Sequence, residues 1–292
     1  MILVTTPTGQ VGRQLVSRLL DRGLAVRVLA RDIGRLDPAV REHTDAVEGS
    51  HDDPSTLEQA LDGADALFWL VPPNPQAPSA EAHYLAFAKA GAEAIRRSGV
   101  GHVVGVTSAG HGWPAPAGLL SAAFAMDAEL EATGAAYRGL SMPFYMENLL
   151  DQRDAIREQG AFYLTFAPSR PLALIATRDI AESAAALLAD LEWSGQEHVP
   201  TFGPDRLSPD GMAEVLSDVV GQPVAYRQTT LETVATGIAE QGGSEQAIRD
   251  VTEMLAAQDE GIYDDDWATA EPTPTDFRTW SAEVLHRGVH HP

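Results

Sequence analysis

The chain opens with Met1-Ile-Leu-Val-Thr-Thr-Pro-Thr-Gly-Gln-Val-Gly-Arg-Gln-Leu15, and this stretch decides the fold. The apolar run at residues 2–4 predicts a buried strand, and the residues around Pro7–Gly9 predict a tight turn. Apolar residues then recur at four-residue spacing, which indicates the buried face of a helix: Val11, Leu15 and Leu19. A strand, a glycine turn and a helix in this order form the first unit of a dinucleotide-binding fold.

The two glycines of this stretch have different expected roles. Gly9 lets the turn close, and Gly12 lets the backbone approach a pyrophosphate at the helix N-terminus. The neighbouring residues are further candidates for cofactor binding: Thr6, Thr8, Gln10 and Val11. The third glycine of the usual fingerprint is missing, because Gln14 stands near its place. The alternative is an ordinary α/β turn whose glycines serve only packing.

The composition excludes several classes of protein and site. The 292 residues include no cysteine, so disulfides and thiolate chemistry are excluded. A net charge of −22 disfavours direct binding to nucleic acid or to anionic membranes. No apolar run reaches the roughly 18 residues of a membrane span, and no basic signal region precedes the first strand. From these features we expect a soluble cytoplasmic protein.

The residues after the second predicted strand, 25–30, bear on the choice of cofactor. In NAD-specific folds a carboxylate about 20 residues beyond the glycines binds the ribose hydroxyls. Here the strand ends at Arg31, and Arg35 follows four residues later. A guanidinium suits the 2′-phosphate of NADP(H), so we expect NADP(H) to be preferred. NAD(H) stays open because Asp32 could bind the ribose, and solvated surface arginines are the alternative to any cofactor role.

Further strands complete the prediction of a parallel sheet. Residues 45–48, 66–71 and 102–107 are predicted strands that alternate with helices at about thirty-residue intervals, which implies right-handed crossovers. Ligands lie at the carboxyl ends of such strands. The candidate cofactor contacts at these ends are Ser50, His51, Val71, Pro72, Thr107 and Ser108. The predicted fold class is therefore α/β, a Rossmann-type doubly wound parallel sheet.

Several motifs together resemble one family. They are the helix start Thr8-Gly-x-x-Gly12, Arg31, the pair Thr107-Ser108, the stretch Pro143-Phe-Tyr-Met-Glu-Asn148 and the run Arg178-Asp-Ile-Ala181. This set resembles the NmrA-like branch of the atypical short-chain dehydrogenase/reductases, near the NADPH quinone reductases and triphenylmethane reductases. The departures from the family pattern are the missing third glycine and Pro7 in place of a small residue.

The resemblance implies a nucleotide-binding sheet and a smaller C-terminal lobe, with the pocket between them. Residues 1–150 would form the dinucleotide-binding Rossmann domain, and later strands near 172–176 and 198–202 would join its core. Residues 151–292 would be mainly a substrate-binding lobe and a C-terminal tail. In this arrangement Pro143 joins the candidate cofactor contacts.

The usual acid of short-chain reductases is missing from this chain. Those enzymes use a tyrosine whose pKa is lowered by a lysine four residues later, on the helix after the fifth strand. The predicted helix at residues 119–131 contains neither residue type, and the resemblance to the quinone reductases places the lysine position at Ala128. The one lysine of the chain, Lys89, follows Tyr84 by five residues on another helix, so the two side chains do not face each other correctly. No Tyr-Lys proton relay operates here.

Few polar groups remain near the expected nicotinamide. We take His111 and Tyr145 as candidate catalytic residues, because imidazole titrates near neutral pH and a phenol can orient a substrate carbonyl. Trp113, Phe144 and Asn148 are candidate substrate contacts in an aromatic-rich pocket. The alternatives are that His111 is only a solvent-exposed loop residue and that Phe144 and Tyr145 are core aromatics.

These features lead to three hypotheses about function. The first is an NAD(P)H-dependent oxidoreductase acting on a quinone or polycyclic aromatic compound, with tailoring of aromatic polyketides as a variant. Hydride transfer to such a ring delocalises charge, so a strong protein acid is less necessary. The second is a non-catalytic NAD(P) sensor, the role that the resemblance implies through the family's regulatory member. The third, an isomerase or epimerase with a tightly held cofactor, needs a base that the sequence does not identify.

We expect no metal site. The pair His290-His291 and the run Asp264-Asp265-Asp266 lack ligand spacing on a rigid element, so we expect both to be solvated tail. The acidic, proline-punctuated segment at residues 263–275 is expected to wrap the surface and to lead into a short helix around Trp280.

Overall fold

The computed structural model describes residues 1–286, and the chain forms two compact units. The first unit comprises Met1–Ser108, Leu119–Ser141 and Ile180–Val199. The second comprises Ala109–Gly118, Met142–Asp179 and the chain from Pro200 onward. The sequence placed one boundary near residue 150, whereas each unit takes segments from both sides of that position.

The elements, in chain order, are β1 (Ile2–Thr5), α1 (Gln10–Asp21), β2 (Val26–Ala30), α2 (Pro38–His43), β3 (Asp45–Glu48), α3 (Pro54–Leu61), β4 (Ala66–Trp69), α4 (Ala80–Ser98), β5 (His102–Ser108), α5 (Leu119–Glu131), β6 (Ala136–Met142), β7 (Phe144–Tyr145), β8 (Ala161–Leu164), β9 (Leu172–Ile175), α6 (Thr177–Ala189), β10 (Gln196–Pro200), β11 (Arg206–Leu207), α7 (Pro209–Val220), β12 (Ala225–Gln228), α8 (Leu231–Glu240), α9 (Glu245–Glu260), α10 (Asp264–Thr269) and α11 (Phe277–His286). Short 3-10 helices cover Ile33–Arg35 and Met146–Gln152, and a π-helical turn covers Ala155–Gln159.

The first unit is built on a seven-stranded sheet with the strand order β10-β6-β5-β4-β1-β2-β3. The five strands from β3 to β5 in this order pair in parallel. β1 and β4 are buried along their whole length, as expected for strands covered by helices on both faces. The predicted α/β fold class is therefore confirmed. The chain winds outward in both directions from β1, so the crevice for a ligand lies at the carboxyl ends of β1 and β4.

The core of the first unit shows why these elements stay together. Leu67 and Trp69 of β4 are fully buried and belong to one apolar cluster with Ile95 of α4 and Met126 of α5. Since burial of such side chains stabilises a fold by roughly 1.5–3 kcal/mol each, this cluster fixes the helices on the sheet. The sheet edge that carries the strand ends is thereby held rigid.

The second unit contains two small sheets, β11-β9-β7 and β12-β8, and a separate apolar core. β9 is the strand predicted near 172–176, and it lies in the core of the second unit, whereas it was expected in the core of the dinucleotide-binding domain. It pairs with β7 in parallel and with β11 antiparallel. A short run of buried apolar residues predicts a strand but does not identify its partner. The strand predicted near 198–202 is β10, at the edge of the large sheet.

The C-terminal part of the chain is folded as far as residue 286, and the short helix expected around Trp280 is α11 (Phe277–His286). Trp280 of α11 is 1% exposed and belongs to the core of the second unit. The pair His290-His291 lies outside the described residues. Within residues 1–286, no helix combines the length and the apolar character that crossing a membrane would require.

Candidate active site

The turn between β1 and α1 is fixed by its own backbone. Thr6 has a φ of 50°, which is uncommon for a residue with a side chain, and the Gly9 N–H donates to the Thr6 carbonyl at 3.0 Å. A Cβ at Gly12 would lie 2.2 Å from the same carbonyl oxygen. Gly12 is therefore required for the close approach of α1 to the turn, before any role toward a ligand.

The N-terminus of α1 has the properties of an anion site. Its N-cap, Gly9, offers no side chain, and the first turn contains no acidic residue. By contrast, the N-cap residues of α4 and α9 are Ser79 and Ser244, whose hydroxyls accept backbone N–H groups. The first N–H groups of a helix lack intrahelical acceptors and carry partial positive charge. In α1 these groups lie beside the exposed residues 8–10.

Four further candidates at this turn differ in what they can offer to a ligand. The Thr6 hydroxyl oxygen is buried and has no hydrogen-bond partner among residues 1–286. Thr8 and Gln10 are exposed, whereas the Val11 side chain is in the core and leaves only its backbone N–H. An orphaned buried hydroxyl beside an uncapped helix end fits a diphosphate, because both supply donors to its oxygens.

The arginine at the end of β2 is available to a ligand. Arg31 is exposed and forms no ion pair within the described part of the chain. The neighbouring Asp32 carboxylate instead accepts the Gly34 N–H at 2.8 Å and caps the 3-10 turn. One oxygen of the Asp32 carboxylate is thus occupied by a local hydrogen bond and is less available to the ribose hydroxyls of NAD(H). This favours the hypothesis that Arg31 binds the 2′-phosphate of NADP(H).

His51, after β3, is a buried histidine held by the end of β4. Its exposure is 7%, its Nε2 lies 3.1 Å from the Leu70 carbonyl, and its ring packs on Trp69 and Phe87 with centroids 5.1 and 4.5 Å away. Because a carbonyl only accepts, Nε2 carries the hydrogen. Burial lowers the pKa of His51 from 6.5 to about 4, so the ring is neutral near pH 7. The adjacent Ser50 is half-buried.

The loop after β4 is anchored by two residues that sequence reasoning missed. The Thr5 hydroxyl donates to the Phe68 carbonyl and accepts the Leu70 N–H, each at 3.0 Å. His83 Nε2 lies 3.0 Å from the Pro72 carbonyl. Thr5 was detectable as a polar residue at the end of an apolar strand, whereas nothing local to His83 marks its role. Of the predicted contacts in this loop, Val71 is buried and Pro72 is exposed.

Thr107, at the end of β5, is held by a buried carboxylate on α5. Its hydroxyl donates to Asp127, which is 1% exposed, and the Tyr137 hydroxyl donates to the other carboxylate oxygen at 2.5 Å. Burial, followed by the charge of Asp127, raises the pKa of Tyr137 well above its usual value. Since its hydrogen is committed to Asp127, the Thr107 oxygen can only accept from a ligand. Ser108, next to it, is also buried.

The structure agrees with the absence of a Tyr-Lys pair on α5. That helix contains neither residue type, and Lys89 is exposed on α4. Tyr84, on the same helix, is 6% exposed, and burial raises its pKa to about 12. Neither Tyr84 nor Tyr137 is therefore suited to donate a proton near neutral pH.

In the second unit, the loop at residues 109–118 carries two of the candidates. The Trp113 N–H donates to the Gly110 carbonyl at 3.1 Å, so His111 lies within a reverse turn. The Trp113 indole nitrogen is buried and has no hydrogen-bond partner among residues 1–286. His111 and Trp113 thus share one short, turned segment.

The stretch Pro143–Asn148 separates into core and surface residues. Phe144 is 8% exposed and lies edge-on to Phe166 in the core of the second unit, so the structure supports the core alternative rather than a substrate contact. Pro143 is buried, Tyr145 is partly buried, and Asn148 is exposed. Alternation along β7 explains the difference between the two aromatic neighbours.

Glu147 is the residue of this stretch whose role the sequence did not reveal. Its carboxylate accepts the N–H and the hydroxyl of Thr177 at 3.0 and 2.8 Å, and the indole N–H of Trp280 at 3.1 Å. These partners lie at the start of α6 and on α11, so no local pattern could identify them. Glu147 fixes the stretch that carries Tyr145.

The candidates of the first unit lie at one edge of the large sheet. They follow the carboxyl ends of parallel strands and form five groups: residues 6–12, Arg31, Ser50 with His51, Val71 with Pro72, and Thr107 with Ser108. Donors for a diphosphate, a free guanidinium and an accepting hydroxyl therefore share one edge. This donor set fits a dinucleotide.

Comparisons with known proteins agree with this fit. The family model described as NmrA-like family matches residues 1–280. The NAD(P)H azoreductase of Xenophilus azovorans is 29% identical over 256 residues, which cover 88% of this chain and 86% of that protein. The (4-alkanoyl-5-oxo-2,5-dihydrofuran-3-yl)methyl phosphate reductase of Streptomyces griseus is 29% identical over 240 residues, 82% of this chain and 80% of that protein. Among solved structures, the NADPH-dependent quinone oxidoreductase of Escherichia coli in complex with NADPH has a TM-score of 0.79 at 20% identity, over 98% of this chain and 99% of that one.

Proposed function

The chain belongs to the NmrA-like family, and we propose that it is an NAD(P)H-dependent reductase that prefers NADP(H) and acts on a flat, conjugated acceptor. A quinone or a polycyclic aromatic compound, including an aromatic polyketide, meets this description. The observation that carries the proposal is the uncapped N-terminus of α1 beside the orphaned Thr6 hydroxyl.

Four of the five residue groups at the sheet edge have a stated role in this proposal. The first N–H groups of α1 and the Thr6 hydroxyl bind the diphosphate, and Arg31 binds the 2′-phosphate. Ser50 and His51 face the adenosine, and Thr107 accepts a hydrogen bond from the nicotinamide half. When bound, NADPH supplies the hydride.

The nature of the acceptor follows from the missing proton relay. A simple ketone develops its charge on one oxygen and needs a strong acid, whereas a conjugated ring spreads that charge. The names of two relatives point in the same direction, because they denote reduction of an azo compound and of a furan derivative. His111 donates the final proton and Tyr145 orients the acceptor, with Trp113 beside it.

Stopped-flow measurement of bound NADPH tests this function. The protein is loaded with NADPH and mixed with a quinone, an azo dye, an aromatic polyketide, a furanone and a simple aliphatic ketone. We expect NADPH oxidation with at least one conjugated acceptor and none with the ketone. Tight NADPH binding without oxidation by any compound would favour the sensor, and failure to bind NADPH would refute the cofactor assignment.

Two variants then test the roles in the second unit. His111→Ala should slow the single-turnover oxidation by about 100-fold if the imidazole is the general acid. Tyr145→Phe keeps the ring and removes one hydroxyl, so substrate orientation predicts a loss of about tenfold and packing predicts little change. Normal turnover by both variants would show that neither residue is catalytic.

A further inference from the structure

The three consecutive aspartates at residues 264–266 have three different environments. Asp264 forms ion pairs with Arg170 and Arg206, at 3.1 and 2.6 Å. Asp265 is exposed and forms no ion pair within residues 1–286. Asp266 is partly buried, and its carboxylate accepts the Gly110 N–H at 2.7 Å. Two of the three aspartates therefore have specific partners that the expectation of a solvated acidic run did not include, although the Asp264 side chain is 41% exposed.

The loop at residues 109–118 lies directly on this part of the chain. Gly110 has a φ of 94°, and a Cβ there would come within 2.3 Å of Ile262 Cγ1 and 2.8 Å of the Ile262 carbonyl. At the other end of the loop, Gly118 has a φ of 51°, and its Cβ would lie 1.9 Å from the Asp250 carbonyl. Only glycine permits these contacts. One end of the loop therefore rests on the turn between α9 and α10, and the other end rests on α9.

The segment under the loop is itself rigid. The ion pairs of Asp264 hold the first turn of α10 to Arg170 and Arg206, which are both partly buried. Tyr263 is 7% exposed, and its hydroxyl accepts from the buried Gln258 amide at 2.8 Å. The Asp266 carboxylate therefore belongs to a rigid segment. A hydrogen bond to a loop amide restricts the loop only if the acceptor is itself held in place, and Asp266 meets this condition.

We propose that Asp266 is a positioning residue for the reduction: it holds the Gly110 N–H and so fixes the turn that carries His111 and Trp113. The Gly110 hydrogen bond is charge-assisted, and the Trp113 N–H closes the same turn onto the Gly110 carbonyl. Without Asp266 the turn keeps its contacts at Ile262 and the hydrogen bond from the Ala109 N–H to the Met142 carbonyl, but it loses the acceptor of the Gly110 N–H. This inference rests on the proposed function, because it assigns the turn to the acceptor side of the reaction.

Three variants of the full chain test the inference. Asp266→Ala removes the acceptor of the Gly110 N–H, and Asp266→Asn keeps a carbonyl oxygen that can accept it. Asp265→Ala is the matched control, since it removes an exposed carboxylate from the neighbouring position. Each variant is measured for NADPH affinity, for kcat and KM with the acceptor that the wild-type protein reduces fastest, and for hydrogen exchange of the amides at residues 109–118.

Asp266→Ala should lower kcat/KM for the acceptor by about tenfold or more, because a small misplacement of the turn separates reacting groups. Its NADPH affinity should equal that of the wild type, and the Gly110–Trp113 amides should exchange faster. Asp266→Asn should recover most of the wild-type kcat/KM and most of the wild-type protection of the Gly110–Trp113 amides. Asp265→Ala should match the wild type in both measurements.

Two results would overturn the inference. One is identical exchange and kcat/KM in Asp266→Ala and Asp265→Ala. The other is a parallel loss of NADPH binding and turnover that Asp266→Asn does not rescue, because that pattern reports general damage to the fold. If none of the tested acceptors oxidises the NADPH bound to the wild-type protein, the proposed function fails instead. Faster exchange confined to Asp266→Ala would then still support the positioning of the turn, and unchanged exchange would refute it.

Discussion

The turn at residues 6–12 and the stretch at residues 143–148 both carry candidate site residues, yet they are held in place by different means. The turn is fixed by backbone sterics, because the Thr6 carbonyl occupies the space that a Cβ at Gly12 would need. The stretch is fixed by one carboxylate, Glu147, which binds Thr177 and Trp280 far along the chain. The first arrangement tolerates no added atom at Gly12, whereas the second depends on partners that can be replaced in part.

This difference predicts how each region fails. A region defined by hard-sphere contact should break on the addition of one methyl group and should have no conservative rescue. A region defined by hydrogen bonds should weaken in steps, according to how many of the bonds a substitution preserves.

Gly12→Ala should have the largest effect. Its Cβ would lie 2.2 Å from a backbone oxygen that cannot move without opening the turn. We expect a loss of about 3 kcal/mol in the free energy of unfolding, measured by urea denaturation. Dinucleotide binding should be lost with it.

Gly9→Ala is the matched control for that prediction. Here the added Cβ would lie 3.3 Å from the Thr6 carbonyl oxygen, and Gly9 is exposed with an extended backbone. The free energy of unfolding should change by less than about 1 kcal/mol, while NADP(H) affinity falls because the methyl group faces the diphosphate. Equal stability of the Gly9 and Gly12 variants would contradict the steric account of the turn.

Glu147→Ala should come second, with a loss of about 2 to 3 kcal/mol in the free energy of unfolding. The substitution leaves the Thr177 N–H at the start of α6 and the Trp280 indole N–H without their acceptor. Glu147→Gln should recover part of the loss, because its amide oxygen still accepts. Glu158→Ala, at an exposed position, is the control, and a loss as large as that of Glu147→Ala would show that the anchor is not specific.

The pH dependence of the free energy of unfolding tests whether the first unit also depends on a side chain, that of His51. Its pKa is lowered by burial from 6.5 to about 4, so between these values the unfolded chain binds a proton that the folded chain does not. Stability should therefore fall with falling pH, by about 2 kcal/mol between about pH 8 and about pH 5 from this residue alone.

The variant His51→Gln isolates this contribution. It keeps an N–H donor for the Leu70 carbonyl and cannot titrate, so the free energy of unfolding should depend less on pH by about 2 kcal/mol over the same interval. His43→Gln, which removes an exposed histidine on α2, serves as the control. An unchanged pH dependence in His51→Gln would mean that folding does not shift the pKa of His51.

The comparison also explains which parts of the fold the sequence could predict. β1, the glycine turn and α1 were identified because each depends on residues close together in the chain. The partner of β9 was not, because four buried apolar residues fit the middle of either sheet. The fold class followed from alternating strands and helices, and the distribution of segments between the units did not, since it depends on contacts between distant residues.

The candidate site divides in the same way. Glycines, Arg31 and the strand-end residues were detectable, because their chemistry is tied to a position in a local motif. The partly buried carboxylates were not recognised as anchors: Glu147 and Asp266 look like solvated acids until their distant partners are known. Phe144 is the opposite case. Its place in a family motif suggested a substrate contact, but its side chain packs in the core of the second unit.

Arg31 represents a third condition, a side chain that neither sterics nor a partner holds, and its substitution should have the smallest effect. It is exposed and forms no ion pair within residues 1–286. Binding a 2′-phosphate must therefore order a long side chain and compete with solvent, which limits the binding free energy that Arg31 can contribute.

Arg31→Ala should weaken NADP(H) binding by about tenfold, or about 1.4 kcal/mol, and should change NAD(H) binding by less than about twofold. Calorimetric titration with both cofactors measures this difference, and it should shrink at high salt because the contact is solvent-exposed. Arg41→Ala, which removes an exposed arginine from α2, should leave both affinities unchanged. If Arg31→Ala weakens both cofactors equally, the guanidinium contacts a group that they share, and the preference for NADP(H) must come from elsewhere at the sheet edge.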